Sequence, residues 1–296
     1  MTVTWFNPIL VQLGPVAVHW YGVMYAVAFL LGYFYFRYSA HGKSMPLSND
    51  QKDLFLAYVI CGILLGGRIG YILFYNFAYY MSAPLKIFAV WEGGMSFHGG
   101  VIGVGVAMWL FMRRCNVLAQ REGVARATGV RFFVLSDLVC AIAPLGLFFG
   151  RIGNFINGEL YGRVATASSW CLYFPADPSN CRYPSQLIQA GLEGLLLFVI
   201  LWMVRGYFVE GENGRMHGKS DGVVTCTFLI FYGVFRIIAE FFRQPDAQIG
   251  FLPFGITEGQ ALSFWMIVAG VVLLFYINKK ISKRSLVRGI IEFFLG

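Results

Sequence analysis

The sequence predicts an all-α polytopic membrane protein of about seven transmembrane helices, with a small extracytoplasmic lobe. Three observations carry that prediction. Of the 296 residues, 58% are hydrophobic and only 13% charged, whereas about a quarter of a soluble domain is charged. Apolar runs near the ~20 residues that cross a bilayer as a helix recur along the chain. The alternating ten-residue strands of an outer-membrane barrel do not appear.

The spans fall at about 17–37, 54–75, 97–113, 133–150, 187–204, 222–242 and 261–278. Span one lacks a basic n-region and a small-residue cleavage site, so it reads as a retained helix rather than a signal peptide. Spans three and four are glycine-rich ("GGVIGVGVAM", "APLGLFFG"), which suits close helix packing in lipid. The segment 160–186, with its Pro, Ser and Cys, reads as the extracytoplasmic lobe. Residues 279–296 form a basic tail whose apolar face either lies along the inner membrane surface or is disordered.

Orientation follows from Lys and Arg in the loops. Sixteen fall in one set: Arg37, Lys43 and Lys52, the loop "RRCNVLAQREGVARATGVR", the loop holding Arg205, Arg215 and Lys219, and the tail "KKISKRSLVR". Three fall in the other: Lys86, Arg163 and Arg182. The N-terminus is therefore expected outside and the C-terminus in the cytoplasm. The net charge of +8 is accounted for by this asymmetry, and no nucleic-acid partner is needed. Six cysteines give no CxxC, and there is no HExxH or clustered His, so neither a metal nor a cofactor is expected. Cys171 and Cys181 share the lobe, as a disulfide if that face is oxidising or as two free thiols.

An ionisable side chain deep in a span costs several kcal/mol, which makes each one a functional candidate. The topology puts Arg68 of "GGRIGYILFYN" about two-thirds of the way to the outer face. It brings Arg151, Asn154, Asn157 and Glu159 of "GRIGNFINGELYGR" to the outer end of span four. Arg236, Glu240 and Arg243 fall in the outer half of span six, and Tyr232, Arg236, Glu240 and Arg243 follow at steps of four, four and three, on one helix face. His98 of "WEGGMSFHGG" opens span three from outside, and Tyr21 of "HWYGVMY" lies near the outer start of span one. One arginine would be a snorkelling anchor; several at matched depth indicate a site. Two bland readings stay open: Glu240 within a self-neutralising Arg–Glu–Arg ladder, and His98 hydrogen-bonded at the interface. Arginine forks and glycine-exposed N–H groups suit a phosphate, and at this depth the natural ligand is a phospholipid headgroup.

"GRIGNFINGELYGR", "HWYGVMY", "GGRIGYILFYN", "WEGGMSFHGG" and "YGVFRIIAEFFRQPDAQ" resemble the signatures of bacterial prolipoprotein diacylglyceryl transferases, in order, from about residue 5 to 279. At "YPSQLIQ" the chain departs from the family's His-Pro-Ser-Gln-Leu-Tyr-Glu: Tyr183, Ile188 and Gln189 stand there, and no chemistry is assigned to that corner. The resemblance implies transfer of the diacylglyceryl group of phosphatidylglycerol to the lipobox cysteine of a prolipoprotein, in the bacterial inner membrane. A thioether forms and glycerol phosphate leaves. A thiol reacts as its thiolate, so His98 is expected to take or relay the proton. Arg151 with Asn154 is expected to hold the phosphate, and Arg236 to stabilise the leaving group. Asn157, Glu159, Glu240, Tyr21 and Tyr232 would orient these groups, with Arg68 and Arg243 adding field. The rival from another class is a lipid flippase or secondary transporter of an anionic substrate. Such proteins set their site near the midplane, whereas the inner halves of these spans hold almost no ionisable residues.

Overall fold

The computed structural model describes residues 5–14, 16–38, 47–89, 93–121, 130–165, 170–208, 221–245 and 251–280. The tail at 281–296 and the loops at 122–129 and 209–220 lie outside the described residues. The chain is mostly helical. Nine α-helices are described: α1 (Trp20–Tyr38), α2 (Asn49–Tyr75), α3 (Phe77–Ser82), α4 (Phe97–Arg121), α5 (Phe132–Ile156), α6 (Ser185–Gln189), α7 (Leu197–Phe208), α8 (Val223–Glu240) and α9 (Glu258–Lys280). Between α6 and α7 the winding loosens to a π-helix over Ala190–Leu196. Among the described residues six stretches are long and apolar enough to cross a membrane: Asn49–Tyr75, His98–Leu118, Phe132–Ile156, Ser185–Arg205, Val223–Glu240 and Glu258–Ile277. The expected first span is present as α1, but that helix is not among the six, because five tyrosines and Arg37 lower its hydropathy.

The all-α expectation is corrected at two hairpins. Strands β1 (Ile9–Leu13) and β2 (Val16–His19) pair antiparallel, so residues 17–19, expected to open span one, are extended. Gly14 turns the hairpin at φ +60°, where a side chain would be strained. Strands β3 (Leu172–Phe174) and β4 (Asp177–Arg182) form the second hairpin. It carries a Cys171–Cys181 disulfide, Cα–Cα 5.4 Å, which decides between the two readings of those cysteines.

The chain divides into two compact units, residues 36–136 and residues 1–35 with 137–296. In the first of these α2 packs along α4. Ser48 opens α2 with a reciprocal capping box to Gln51, which satisfies two otherwise orphaned N–H groups. Gly62, Gly66 and Gly70 then face Gly99 and Gly103: a Cβ on Gly62 would lie 2.7 Å from the Gly103 carbonyl oxygen, and one on Gly70 2.6 Å from Gly99 Cα. Backbone therefore meets backbone, which maximises dispersion contact in a solvent that offers no hydrophobic drive between helices.

In the other unit α8 lies on α9, and α5 and α7 complete a core of Ala141, Leu197, Leu201, Val204, Val223, Val224, Cys226, Tyr232 and Phe235. The start of α8 is capped from another helix. Gly222 at φ +95° offers no side-chain cap, and Asp137 of α5 accepts instead from Gly222 N, Thr225 N and Thr225 Oγ1 at 2.6–2.7 Å. That buried carboxylate thereby fixes the rotation and height of the helix that carries Arg236.

Candidate active site

The last two turns of α5 begin the site. Arg151 and Asn154 lie on them, and the helix ends at Ile156. Gly158 at φ +68° and Leu160 at φ +56° then turn the chain sharply. Glu159 is brought back under the helix: its N–H donates to the Asn154 carbonyl, and its Oε1 accepts from Asn154 Nδ2 at 2.8 Å and Asn157 Nδ2 at 3.3 Å. Buried Gln186 donates to the Glu159 carbonyl at 2.6 Å, and Ser185 to that of Leu160 at 3.1 Å. Gly162 donates to Tyr183 O, with no room for a Cβ between Phe242 O and Tyr183 O. Arg163 donates to the carbonyls of Arg243 and Glu240 at 2.9 and 3.1 Å. The charge, amides and glycines at the end of this apolar run thus stitch α5, α6 and the end of α8 together.

The arginines meet two buried carboxylates. Glu240 is 1% exposed; its Oε1 pairs with Arg236 at 2.7 Å and Arg243 at 3.1 Å, and its Oε2 accepts from Thr257 at 2.8 Å. Gly259 leaves the space that this carboxylate fills, since a Cβ there would lie 2.6 Å from Oε1. Glu193, fully buried in the π-helical segment, pairs with Arg236 at 3.3 Å and Arg151 at 3.8 Å. Gln189, one turn earlier, accepts from Arg236 Nη1 at 3.0 Å. Arg236 is therefore held by three side chains. Arg151 differs: among the described residues its guanidinium makes no hydrogen bond, and its ion pair with Glu193 is too long for one. Tyr21 lies against Gly153, where a Cβ would come 2.8 Å from Tyr21 Cδ2, and shares a hydroxyl hydrogen bond with Tyr25 at 3.1 Å. Tyr232 is buried on the face of α8 that bears Arg236.

The unit of residues 36–136 carries the other two expected residues. Arg68 is buried and donates to five carbonyls, those of Lys86, Ile87, Ala89, Gly93 and Gly94, with its guanidinium also 5.0 Å from the Tyr80 ring centroid. It fixes the run of backbone that leads to α4. His98 is exposed in the first turn of α4. Ser96 is tied to α2 through its N–H to Gly67 O at 2.8 Å.

Nine of the eleven expected residues thus belong to the unit of residues 1–35 and 137–296. Ion pairs through Glu193 and Glu240 join Arg151, Arg236 and Arg243, and a separate set of amide hydrogen bonds joins Asn154, Asn157 and Glu159. Sequence reasoning missed Glu193, Gln189 and Gln186. Glu193 stands alone in the apolar run "QAGLEGLLLF", and the cost of a buried charge was signal enough to find it. The two glutamines lie in the stretch from which no chemistry was expected. Among the described residues no three His, Cys, Asp or Glu side chains gather as metal ligands would.

Fold and site together define a helical, multi-pass membrane protein with a buried arginine cluster suited to an anionic group. Comparison with known proteins makes this specific. Residues 8–276 match the family model described as prolipoprotein diacylglyceryl transferase, and the chain belongs to that family. A phosphatidylglycerol–prolipoprotein diacylglyceryl transferase of Rhodospirillum rubrum is 45% identical over 268 residues, covering 90% of each chain. Proteins of the same name from Geobacter sulfurreducens and Azospirillum brasilense are 44% and 46% identical; they align with 93% and 90% of this chain, and with 96% and 93% of their own.

Proposed function

We infer that the chain transfers the diacylglyceryl group of phosphatidylglycerol to the lipobox cysteine of prolipoproteins, the first step of lipoprotein maturation. The sulfur forms a bond to the glyceryl carbon as the bond from that carbon to the phosphate oxygen breaks. The pair from that bond leaves on glycerol phosphate, and the thiol proton passes to a base. Seven spans, with the N-terminus outside and the active site towards the outer leaflet of the inner membrane, complete the reading; the loop charges support it.

One observation supports the phosphate site most strongly. Arg151 alone among the three arginines of the ion-pair cluster keeps its donors out of hydrogen bonds among the described side chains, beside a fully buried carboxylate. A guanidinium so held can fork onto a phosphate and gain most as charge builds on the leaving oxygen. Arg236, fixed by Gln189, Glu193 and Glu240, adds its positive field without reorganising. Asn154 and Asn157 hold Glu159, and Tyr21 and Tyr232 wall the cluster. Arg243 positions Glu240. His98 takes the thiol proton, a role that rests on the sequence resemblance, and Arg68 holds the backbone that precedes it through its five carbonyl contacts.

Arg151→Ala is expected to lower kcat/KM with phosphatidylglycerol and a lipobox peptide by about a hundredfold or more, the usual scale for one oxyanion-stabilising donor. An Arg151→Ala enzyme within threefold of wild type would remove Arg151 from the phosphate site. His98→Ala should lose its rate chiefly below pH 8, where an unassisted thiol is mostly protonated, and recover part of it as pH rises. A uniform loss at every pH would assign His98 another role.

A further inference from the structure

We propose that Glu193 is a positioning residue for this reaction: it restrains Arg151 through an ion pair and yields that arginine to the phosphate when the lipid arrives. The inference rests on Arg151 being the phosphate binder.

The two carboxylate oxygens of Glu193 are in different states. Oε1 is 3.3 Å from Arg236 Nη1 and accepts its hydrogen bond. Oε2 is fully buried, has no hydrogen-bond partner, and faces Arg151 Nη2 at 3.8 Å. A buried carboxylate oxygen without a donor is costly, so the attraction to Arg151 is real, yet no hydrogen bond must break for Arg151 to turn to another anion. Gln189 and Glu240 hold Arg236 whether or not Glu193 does. Loss of Glu193 therefore acts mainly on Arg151.

The backbone is arranged to put the carboxylate there. Glu193 is the fourth of seven π-helical residues, and such windings recur at functional sites because they displace one side chain from the regular helical register. The next residue, Gly194, sits against α5 so closely that a Cβ would lie 2.6–3.0 Å from Phe148 backbone and Cβ atoms. Phe148 is three residues before Arg151. The π-helical turn is thus pressed onto the helix that carries the arginine, and Glu193 spans from there to α8.

Charge gives the direction of the effect. Arg151, Arg236 and Arg243 are opposed by Glu193 and Glu240. Neutralising Glu193 would raise the local positive excess and strengthen binding of any phosphate, substrate or product, in the ground state. Uniformly tighter binding does not speed the chemical step, and an unrestrained Arg151 is worse placed for the transition state.

The test uses the full chain in detergent, labelled phosphatidylglycerol, a lipobox peptide, and glycerol phosphate as product inhibitor. Glu193→Gln should lower KM for the lipid and the inhibition constant of glycerol phosphate by about threefold or more, while kcat falls about tenfold or more. A lower kcat with both constants within twofold of wild type would overturn the proposal, because a merely structural role predicts that pattern. Gln189→Glu supplies a second, opposite arm should Glu193→Gln not fold. Its added negative charge should raise both constants, and no rise would count against the proposal equally. Arg151→Ala separates the two layers of the argument. If it keeps the wild-type constants, the phosphate reading fails. If it loses lipid binding while both Glu193→Gln and Gln189→Glu leave the constants unchanged, only the positioning role fails.

Discussion

Arg151, Arg236 and Arg68 are the same residue type in three different conditions. Arg68 is consumed by five carbonyls and Arg236 by three side chains, whereas Arg151 meets one distant carboxylate. Sequence made all three candidates, since each breaks an apolar run, and the resemblance gave Arg151 the phosphate, Arg236 the leaving group and Arg68 only a field. Which of their donors are already spent was not legible, because hydrogen-bond occupancy depends on what folding brings alongside. Glu193 breaks its apolar run by the same rule but has no polar neighbours in sequence; its partners come from α5 and α8. Gln189 carries no charge and gave no such signal. Arg68→Leu leaves several buried carbonyls unpaired, each worth about 1–3 kcal/mol. The variant should therefore melt at a clearly lower temperature in detergent, by thermal shift, than Arg68→Lys, which retains some of the donors.

At the scale of elements, the helices were legible because apolar length alone calls for them. The hairpins were not. "ILVQLGPVAVH" is apolar enough to merge with the span that follows, and only its Gly14 turn and β-branched valines mark it as strand. The α2–α4 glycines were half legible: those of α4 suggested close packing, but the stripe on α2 that receives them needed the structure. Gly66→Val sets a branched side chain against the α4 backbone and should abolish a stable fold, seen as aggregation on size-exclusion chromatography. In the lobe the disulfide closes the β3–β4 hairpin and Arg182 pairs with Asp177. Replacing both cysteines with serine should cost about 2–3 kcal/mol by loop-closure entropy, read as faster proteolysis of 166–182. The Arg182 hydrogen bond holds the Asp177 carboxyl below its ordinary value. That contribution is present in full above the unfolded pKa of about 3.9 and is lost as pH falls through the lower folded one. Protection of the hairpin should accordingly be flat from pH 8 to 5 and decline only in stronger acid.

For the whole molecule, charge distribution gives the expected orientation and the buried ion pairs give a candidate site. The sixteen-to-three asymmetry of Lys and Arg predicts that a C-terminal alkaline phosphatase fusion is inactive and a C-terminal green fluorescent protein fusion bright. The reverse pattern would invert the topology and with it the leaflet from which lipid is taken. A flippase and a transferase are told apart by product, since only the transferase makes a covalent bond.

The most direct measurement is therefore a reconstituted reaction of the purified chain with labelled phosphatidylglycerol and a short lipobox-cysteine peptide, wild type beside Arg151→Ala. Wild type should give a diacylglyceryl thioether on the peptide and free glycerol phosphate, and the variant should give both about a hundredfold more slowly or worse. No thioether under any condition, with lipid moving between leaflets instead, would contradict it.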